Sequence, residues 1–300
     1  MNPLKGVLNR LAPLDWNDTS FDLRKAYVCS LFSELAYHEI PHFEYRLSQR
    51  ASVIPCAAYQ TLFSARTETG IEELVREGEL GPSFSVIRRY AVVVGVRTPT
   101  MIIVSVRGTA FLYDWLTNLR ATKCTHPLGN GAAQFHKGFY TAALACLGDV
   151  MRGISRLSPP ELLPIYITGH SLGGAISAIL SNMLGRRFFD LPSPREGKSR
   201  WPVFGCYTFG MPRYGDLYAV ANTREPYHVY NDADIVPTLP PRWMGFENCF
   251  NEYRLNGVGV ENVQSRETLN FLKWTASLIS GTGIAAHQME LYRDRIKGYI

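Results

Sequence analysis

The sequence lacks any block of like charge, which argues against a nucleic-acid-binding protein. Its 31 Lys and Arg residues and 26 Asp and Glu residues leave a net charge of +5, and the basic residues are spread along the chain instead of forming a patch. Cysteine is scarce as well. The six cysteines form no C-x-x-C pair, so neither a zinc site nor a disulfide framework is indicated. We therefore expect free, buried thiols, no metal and no nucleic-acid partner.

Long apolar runs are also missing, which argues against a membrane-spanning protein. The first 22 residues contain no continuous apolar core of a secretory signal, so we expect a cytoplasmic location by default, with signal-independent export as the alternative. The most apolar stretch, Leu269–Ala286, is interrupted by Lys273, whereas a membrane span needs about 20 predominantly apolar residues. We predict a buried helix over Thr268–Ser280 and no integral membrane segment.

The N-terminal segment has the pattern of a short amphipathic helix. Its apolar residues at i, i+3, i+4 and i+7 are Leu4, Val7, Leu8 and Leu11. We interpret this segment as a helix docked on the protein body, not as a membrane anchor. Because no linker, repeat or low-complexity tract divides the 300 residues, the sequence predicts one domain over 1–300, with 1–25 as a peripheral N-terminal segment.

Helical and strand patterns alternate through the middle of the chain, which favours an α/β fold with a parallel sheet covered on both faces. The predicted strands are Ser85–Val96, Met101–Val106, a run ending at Gly169, Val203–Phe209, Tyr227–Tyr230 and Cys249–Leu255. The predicted helices are Ser30–Tyr37, Ile71–Glu79, Gly138–Ser155, Ala175–Phe188 and Gln288–Ile300. The first two strands are predicted to form a hairpin.

The most informative motif is Gly-His-Ser-Leu-Gly over residues 169–173. It lies between an apolar, strand-like run and a helix-like stretch, the context in which G-x-S-x-G forms a nucleophile elbow. Glycine is needed two residues before and after the serine because so sharp a turn leaves no room for a Cβ. We therefore predict that Ser171 is a nucleophile, with the N–H groups of the following helix facing a developing oxyanion.

A serine nucleophile needs a base and an acid that orients the base, and in α/β-hydrolases the acid and then the histidine follow the serine. Only His228 and His287 come after Ser171. His228 lies in a predicted strand, where a side chain more often packs, whereas His287 follows a glycine-rich turn, so we predict His287 as the base. Asp232 and Asp234 both follow a strand at its carboxyl end, where α/β sites assemble, and spacing alone does not separate them.

Seven motifs between Val104 and His287 resemble those of the class 3 (fungal-type) lipase family, whose members are α/β-hydrolases. The motifs are Arg107-Gly108-Thr109, Trp115 with Leu116-Thr117-Asn118-Leu119, His136-Lys137-Gly138-Phe139, the Gly169–Gly174 elbow, Phe209-Gly210-Met211-Pro212-Arg213, Asp234-Ile235-Val236-Pro237 with Leu239-Pro240-Pro241, and His287. Each motif is weak alone, but seven in the family's order are specific. The resemblance implies an α/β-hydrolase fold with a mostly parallel central sheet, helices on both faces and a short lid helix.

The resemblance also assigns roles to individual residues. It implies that Asp234 is the triad acid. The family commonly has Asn directly before this residue where the chain has Ala233, and Asp232 one position earlier is a candidate to assist or compete. The backbone N–H of Leu172, directly after the nucleophile, is predicted to form the oxyanion hole, and the resemblance adds Thr109.

A lid is implied over the apolar stretch that follows Thr109. Its predicted lid and substrate-binding residues are Phe111, Leu112, Trp115 and Leu116. The alternative is a fixed helix start that buries Trp115. The two histidines inside the motifs, His136 and His170, are predicted to have structural or hydrogen-bonding roles.

These features together predict a serine carboxylester hydrolase of lipid catabolism. We expect a triacylglycerol lipase that works through a Ser-His-Asp triad and an acyl-enzyme, without cofactor or metal, and that contacts a lipid interface transiently. A short-chain or aryl carboxylesterase or a phospholipase of the same fold is the alternative. A catalytically silent member that binds lipid or a partner protein is the alternative from another class. The sequence does not determine acyl-chain preference or oligomeric state.

Overall fold

A computed structural model describes residues 4, 6–37, 71–88, 91–108, 121–128, 131–158, 163–185, 202–263 and 282–300. Within these ranges, eight strands form one sheet in the order β1-β2-β3-β6-β7-β8-β9-β10, and β4 and β5 form a separate pair. The strands are β1 (Ser83–Arg88), β2 (Ala91–Arg97), β3 (Ile102–Val106), β4 (Lys123–Leu128), β5 (Gly131–His136), β6 (Ile165–His170), β7 (Val203–Phe209), β8 (Tyr227–Asn231), β9 (Glu252–Leu255) and β10 (Val260–Val263).

The helices of the described ranges lie before, between and after these strands. They are α1 (Leu8–Leu11), α2 (Leu23–Leu35), α3 (71–77), α4 (Lys137–Leu157), α5 (Leu172–Leu184), α6 (Leu217–Asn222), α7 (Thr282–Ala285) and α8 (Met289–Gly298), with 3-10 turns at Val236–Thr238 and Arg242–Met244. None of the helices in this part of the chain combines the length and the apolar character that crossing a membrane requires.

The centre of the large sheet is parallel. Strands β3, β6, β7, β8 and β9 all run in one direction. Antiparallel pairings extend the sheet at both edges, with β2 and then β1 added beside β3, and β10 added beside β9. The carboxyl ends of the parallel strands therefore meet along one edge, where loops from several strands assemble sites in α/β proteins.

Helices cover both faces of this sheet. Along β3, Ile102 and Val104 pack with side chains of α4 and α5 on one face, whereas Ile103 packs with α1, α2 and α8 on the other. Successive residues of a strand point to opposite faces, so the apolar side chains of β3 fill two buried clusters. The prediction of a mostly parallel sheet with helices on both faces is confirmed.

The N-terminal segment forms part of the second cluster. Leu4, Val7, Leu11 and Trp16 are buried there, and Trp16 meets the ring of Tyr166 edge-on at 4.9 Å. The amphipathic pattern thus corresponds to a segment docked on the sheet, and residues predicted to be peripheral supply core side chains.

Two predicted elements differ from the structure or lie outside the described ranges. Ser85–Val96, predicted as one strand, belongs to two antiparallel strands, β1 and β2. The prediction was wrong because an uninterrupted β-prone composition carries no signal of where the chain reverses. The predicted helix Thr268–Ser280 lies outside the described residues. The β2–β3 hairpin is confirmed.

Candidate active site

Ser171 lies in a sharp turn between the end of β6 and the start of α5. Its backbone has φ 59° and ψ −132°, a conformation that non-glycine residues rarely adopt and that stores strain at functional sites. Its N–H donates to the carbonyl of Phe209 at the end of β7 (2.9 Å), and its own carbonyl accepts from Gly174 (2.9 Å). The turn is thus held by the neighbouring strand and by the first turn of α5.

The glycines of the motif are required by close backbone packing. A Cβ on Gly169 would lie 2.5 Å from the carbonyl oxygen of Gly173. A Cβ on Gly173 would lie 2.7 Å from the backbone nitrogen of Gly108, in the segment that follows β3. No side chain fits at such distances, so the G-x-S-x-G spacing reflects the approach of α5 to both β6 and β3.

His287 and Asp234 form a buried acid–base pair. His287 Nδ1 lies 2.6 Å from Asp234 Oδ2, and both side chains are almost completely shielded from solvent. Because an ionised carboxylate can only accept, Nδ1 carries the proton and Nε2 is left as an acceptor. Within the described part of the chain, neither His287 Nε2 nor Ser171 Oγ has a hydrogen-bond partner, as a base and a nucleophile facing a reactant require.

Gly210 lets this pair lie over the elbow. It follows Phe209, the residue that holds Ser171, and has φ +53°. A Cβ at Gly210 would lie 2.7 Å from Asp234 Oδ2 and 2.9 Å from His287 Nδ1. The structure therefore brings the three predicted triad residues to one edge of the sheet, from the ends of β6 and β8 and from the loop before α8.

Asp234 is fixed by further hydrogen bonds, whereas Asp232 points away. Asp234 Oδ1 accepts from the backbone of Val236 (2.9 Å), and Oδ2 accepts from the Tyr292 hydroxyl (2.5 Å). The side chain of Asp232 is 60% exposed and pairs with Arg254 at 3.4 Å. The two carboxylates that spacing left equal thus occupy different environments, and the one implied by the family resemblance contacts His287.

Two side chains anchor the backbone around His287. His170 Nε2 donates to the carbonyl of His287 (2.6 Å), and Asn231 Nδ2 donates to the carbonyl of Ala286 (2.7 Å). The Tyr37 hydroxyl in turn lies 2.9 Å from His170 Nδ1. The base is therefore held through its main chain as well as through Asp234.

The protonation state of His170 follows from its burial. Desolvation lowers the pKa of His170 well below its usual value, and the nearby His287 lowers it further. Burial also raises the pKa of Tyr37, so its hydroxyl remains a donor. A neutral His170 then donates through Nε2 and accepts through Nδ1. The hydrogen-bonding role predicted for His170 is confirmed, although no sequence signal indicated that it would hold His287.

The other predicted structural histidines are buried away from this pair. His228 Nε2 accepts from the backbone of Met211 (3.0 Å), and Nδ1 lies 3.2 Å from Glu252. His136 stacks on Phe139 with ring centroids 4.1 Å apart. His228 therefore holds the residue after Gly210 and does not compete with His287 as a base.

Several predicted site residues lie outside the described ranges. They are the oxyanion residue Thr109 and the lid residues Phe111, Leu112, Trp115 and Leu116. Gly108, directly before Thr109, lies beside the elbow, because a Cβ there would be 3.0 Å from Ser171 Cβ. Leu172 is the first residue of α5, so its N–H lies at the helix N-terminus beside the nucleophile.

Cysteine thiols and other potential metal ligands form no shared cluster within the described ranges. The free cysteines of the described ranges are Cys29, Cys124, Cys146, Cys206 and Cys249. All are buried except the half-buried Cys124. In the same ranges, no group of three or more His, Cys, Asp or Glu side chains is placed to hold a metal ion. The chemistry that this site offers is acyl transfer through an activated serine.

The chain is similar in sequence to known lipases. Residues 103–244 match the family model described as lipase (class 3). A lipase from Rhizomucor miehei is 34% identical over 167 residues, which cover 53% of this chain and 42% of that protein. Secreted mono- and diacylglycerol lipase 1 from Fusarium solani is 31% identical over 161 residues, 52% of this chain and 44% of that protein. The chain thus spans less than half the length of either relative.

The fold comparison extends further along the chain. The structure of lipase II from Rhizopus niveus has a TM-score of 0.53 and 20% sequence identity, and the match covers 73% of this chain and 82% of that one. At this identity the likeness concerns the fold, and it agrees with the mostly parallel sheet and its covering helices.

Proposed function

We propose that the chain, whose residues 103–244 match the class 3 lipase family model, is a serine carboxylester hydrolase of that family acting on acylglycerols. The observation that carries the proposal is the buried His287–Asp234 hydrogen bond of 2.6 Å beside a serine held at positive φ. Nδ1 is occupied by the acid, so Nε2 is the nitrogen available to take a proton.

The proposed reaction has two halves. Ser171 Oγ attacks the ester carbonyl carbon while His287 Nε2 takes the hydroxyl proton, and Asp234 stabilises the resulting imidazolium. The N–H of Leu172, together with the predicted contribution of Thr109, stabilises the tetrahedral oxyanion. Collapse breaks the ester bond, and His287 gives its proton to the leaving alcohol. In the second half, His287 takes a proton from water as the water oxygen attacks the acyl carbon; the bond to Ser171 Oγ then breaks, the acid is released and His287 returns the proton to Oγ.

Two observations support acylglycerols as the substrate class. The relatives are named as a lipase and as a mono- and diacylglycerol lipase. Ser171 is only 1% exposed, and we propose that residues around it move aside to admit an ester to Oγ. Such a movement suits an enzyme that works at a lipid interface, where the displaced residues exchange contacts with the protein for contacts with lipid. Transient lipid contact is thus part of the proposal.

The test compares hydrolysis of p-nitrophenyl butyrate and p-nitrophenyl palmitate by the wild type and Ser171→Ala. We expect the wild type to cleave both esters with a preference for palmitate. Ser171→Ala should lose about 10⁴-fold or more of kcat, the usual scale for removing a triad nucleophile. Ser181→Ala is the matched control, since its hydroxyl bonds to Ala178 within the same helix and should leave kcat within about twofold of wild type.

Each other outcome changes the proposal in a defined way. Wild-type turnover by Ser171→Ala overturns the assignment of the nucleophile. Cleavage of butyrate alone moves the substrate class to short-chain esters. A folded wild type that cleaves neither ester, and that a fluorophosphonate probe does not label at Ser171, is a lipid- or partner-binding protein and not a hydrolase.

A further inference from the structure

Tyr292 shares the carboxylate oxygen of Asp234 with His287. It lies in α8, five residues after His287, and is fully buried. Its hydroxyl is 2.5 Å from Asp234 Oδ2, the same atom that lies 2.6 Å from His287 Nδ1. One oxygen therefore accepts two short hydrogen bonds, while Oδ1 accepts from the backbone of Val236.

The direction of the Tyr292 hydrogen bond follows from its other partner. The backbone N–H of Asn231 donates to the Tyr292 oxygen at 3.0 Å. A phenol has one proton to give, and an ionised carboxylate has none, so the Tyr292 proton points at Asp234. The hydroxyl is thus oriented by the strand end that precedes the acid.

Two arginines that follow Tyr292 tie helix α8 to neighbouring elements. Arg295 Nη1 donates to Asn231 Oδ1 (3.1 Å). Arg293 Nη1 pairs with both carboxylate oxygens of Glu34 in α2 (2.5 and 2.6 Å). Tyr292 is therefore presented to Asp234 by a helix that is clamped against the sheet edge and against α2.

We propose that Tyr292 is a positioning residue of the triad: its hydroxyl holds Asp234 in place and takes up part of the negative charge on Oδ2 that would otherwise act on His287. This inference rests on the proposed function. A hydrogen bond from a neutral donor disperses carboxylate charge. Without it, Asp234 stabilises the imidazolium more strongly, and His287 remains protonated, and so inactive as a base, up to a higher pH.

The other groups that face the acid–base pair leave this effect assignable to His287. The ring centroids of His170, in β6, and His287 are 4.5 Å apart. His170 stays neutral because burial lowers its pKa well below its usual value. Tyr37 stays protonated because burial raises its pKa. The charge of Arg107 lowers this pKa, and the charge of Glu290 raises it. Arg295, which reaches the network through the Asn231 side chain, stays charged.

The experiment measures the pH dependence of kcat/KM for p-nitrophenyl butyrate with Tyr292→Phe, which keeps the buried ring. We expect the pKa of the acid limb, which reports His287, to rise by about 0.5–1 unit, a threefold to tenfold change in the protonation equilibrium. Tyr299→Phe is the matched control. Its hydroxyl, just past α8, donates to the carbonyl of Asn256, so its acid limb should coincide with that of the wild type.

A second readout separates this inference from the proposed function. In the Ser171→Ala background, an NMR titration of the His287 imidazole reports its pKa without turnover, and Tyr292→Phe should raise it by the same amount. An unchanged or lowered His287 pKa overturns the inference, even if activity falls. If Tyr292→Phe does not fold, replacement of Tyr292 by 3,5-difluorotyrosine, a stronger donor, should lower the His287 pKa. A rise or no change in that protein overturns the inference equally.

Discussion

Replacing Gly210 with alanine tests whether the geometry of the acid–base pair controls activity. Gly210 has φ +53°, and L-residues in this left-handed region cost about 1–2 kcal/mol. The added Cβ would lie 2.7 Å from Asp234 Oδ2. Ordinary contact begins near 3.4 Å, so Oδ2 must retreat by 3.4 − 2.7 = 0.7 Å, and His287 Nδ1, at 2.9 Å, by 0.5 Å.

These displacements set the expected magnitudes. Both side chains are buried and hydrogen-bonded, so they cannot swing into solvent to relieve the overlap. A misplacement of about 1 Å costs on the order of 10²-fold in rate, and we expect Gly210→Ala to lose about 10- to 100-fold in kcat/KM. Backbone strain together with overpacking, itself about 1–3 kcal/mol, should lower the free energy of unfolding by about 2–4 kcal/mol.

Substitutions at two other glycines are controls that separate backbone strain from steric overlap. Gly6 also has positive φ, +72°, but nothing lies within 4 Å of its built Cβ. Gly6→Ala should therefore cost about 1–2 kcal/mol of stability and leave kcat/KM unchanged. Gly257 has open space and no positive φ, so Gly257→Ala should change stability by less than about 1 kcal/mol.

The assay is hydrolysis of p-nitrophenyl butyrate alongside urea denaturation of the same preparations. If Gly210→Ala is folded and its kcat/KM is within twofold of wild type, Asp234 and His287 tolerate displacement, and the geometric reasoning about the pair is refuted. If Gly6→Ala loses as much kcat/KM as Gly210→Ala, backbone strain alone accounts for the loss, and the reasoning is refuted as well.

Further predictions concern the acid and the buried histidine. Asp234→Asn should lower kcat by about 10⁴-fold, since an amide cannot hold the correct tautomer of His287. Asp232→Asn, at an exposed site, should keep kcat within about twofold of wild type. A comparable loss of kcat from both substitutions would show that Asp232 assists. His170 stays neutral in the native protein because its pKa lies well below the usual value, whereas the unfolded chain takes up a proton near pH 6.5. As the pH drops below about 6.5, this group should therefore lower the free energy of unfolding by up to about 1.4 kcal/mol per pH unit. His170→Gln should show a shallower decline in urea denaturation between pH 6.5 and 5, and equal slopes would contradict a neutral His170.

Local patterns allowed much of the fold around the site to be predicted. Val203–Phe209 was predicted as a strand and is β7, and the strand and helix on either side of Ser171 are β6 and α5. Hydrophobic periodicity and the glycine requirement of a sharp turn act over a few residues, so they are visible in the sequence. The β4–β5 pair carried no such clear pattern and was not predicted.

The contacts around the acid–base pair could not be predicted in the same way. Residues Asp234 and Tyr292 are 58 positions apart, and His170 and His287 are 117 apart. Their hydrogen bonds depend on the order of the strands and on where α8 docks. A tyrosine in a C-terminal helix and a histidine in the elbow are individually compatible with simple packing, so nothing local distinguished them.

The elbow, its serine and the predicted base could be identified from the order of residues alone, because the steric demands of a tight turn and the small number of downstream histidines are visible there. Residue spacing left Asp232 and Asp234 equal, and only the family resemblance favoured Asp234. Packing places Asp234 against His287 and Asp232 in solvent, and it brings Tyr292 and His170 to the pair. The physical reason is range: a turn is governed by neighbouring residues, whereas a buried hydrogen bond exists only once distant segments have packed to within about 3 Å of each other.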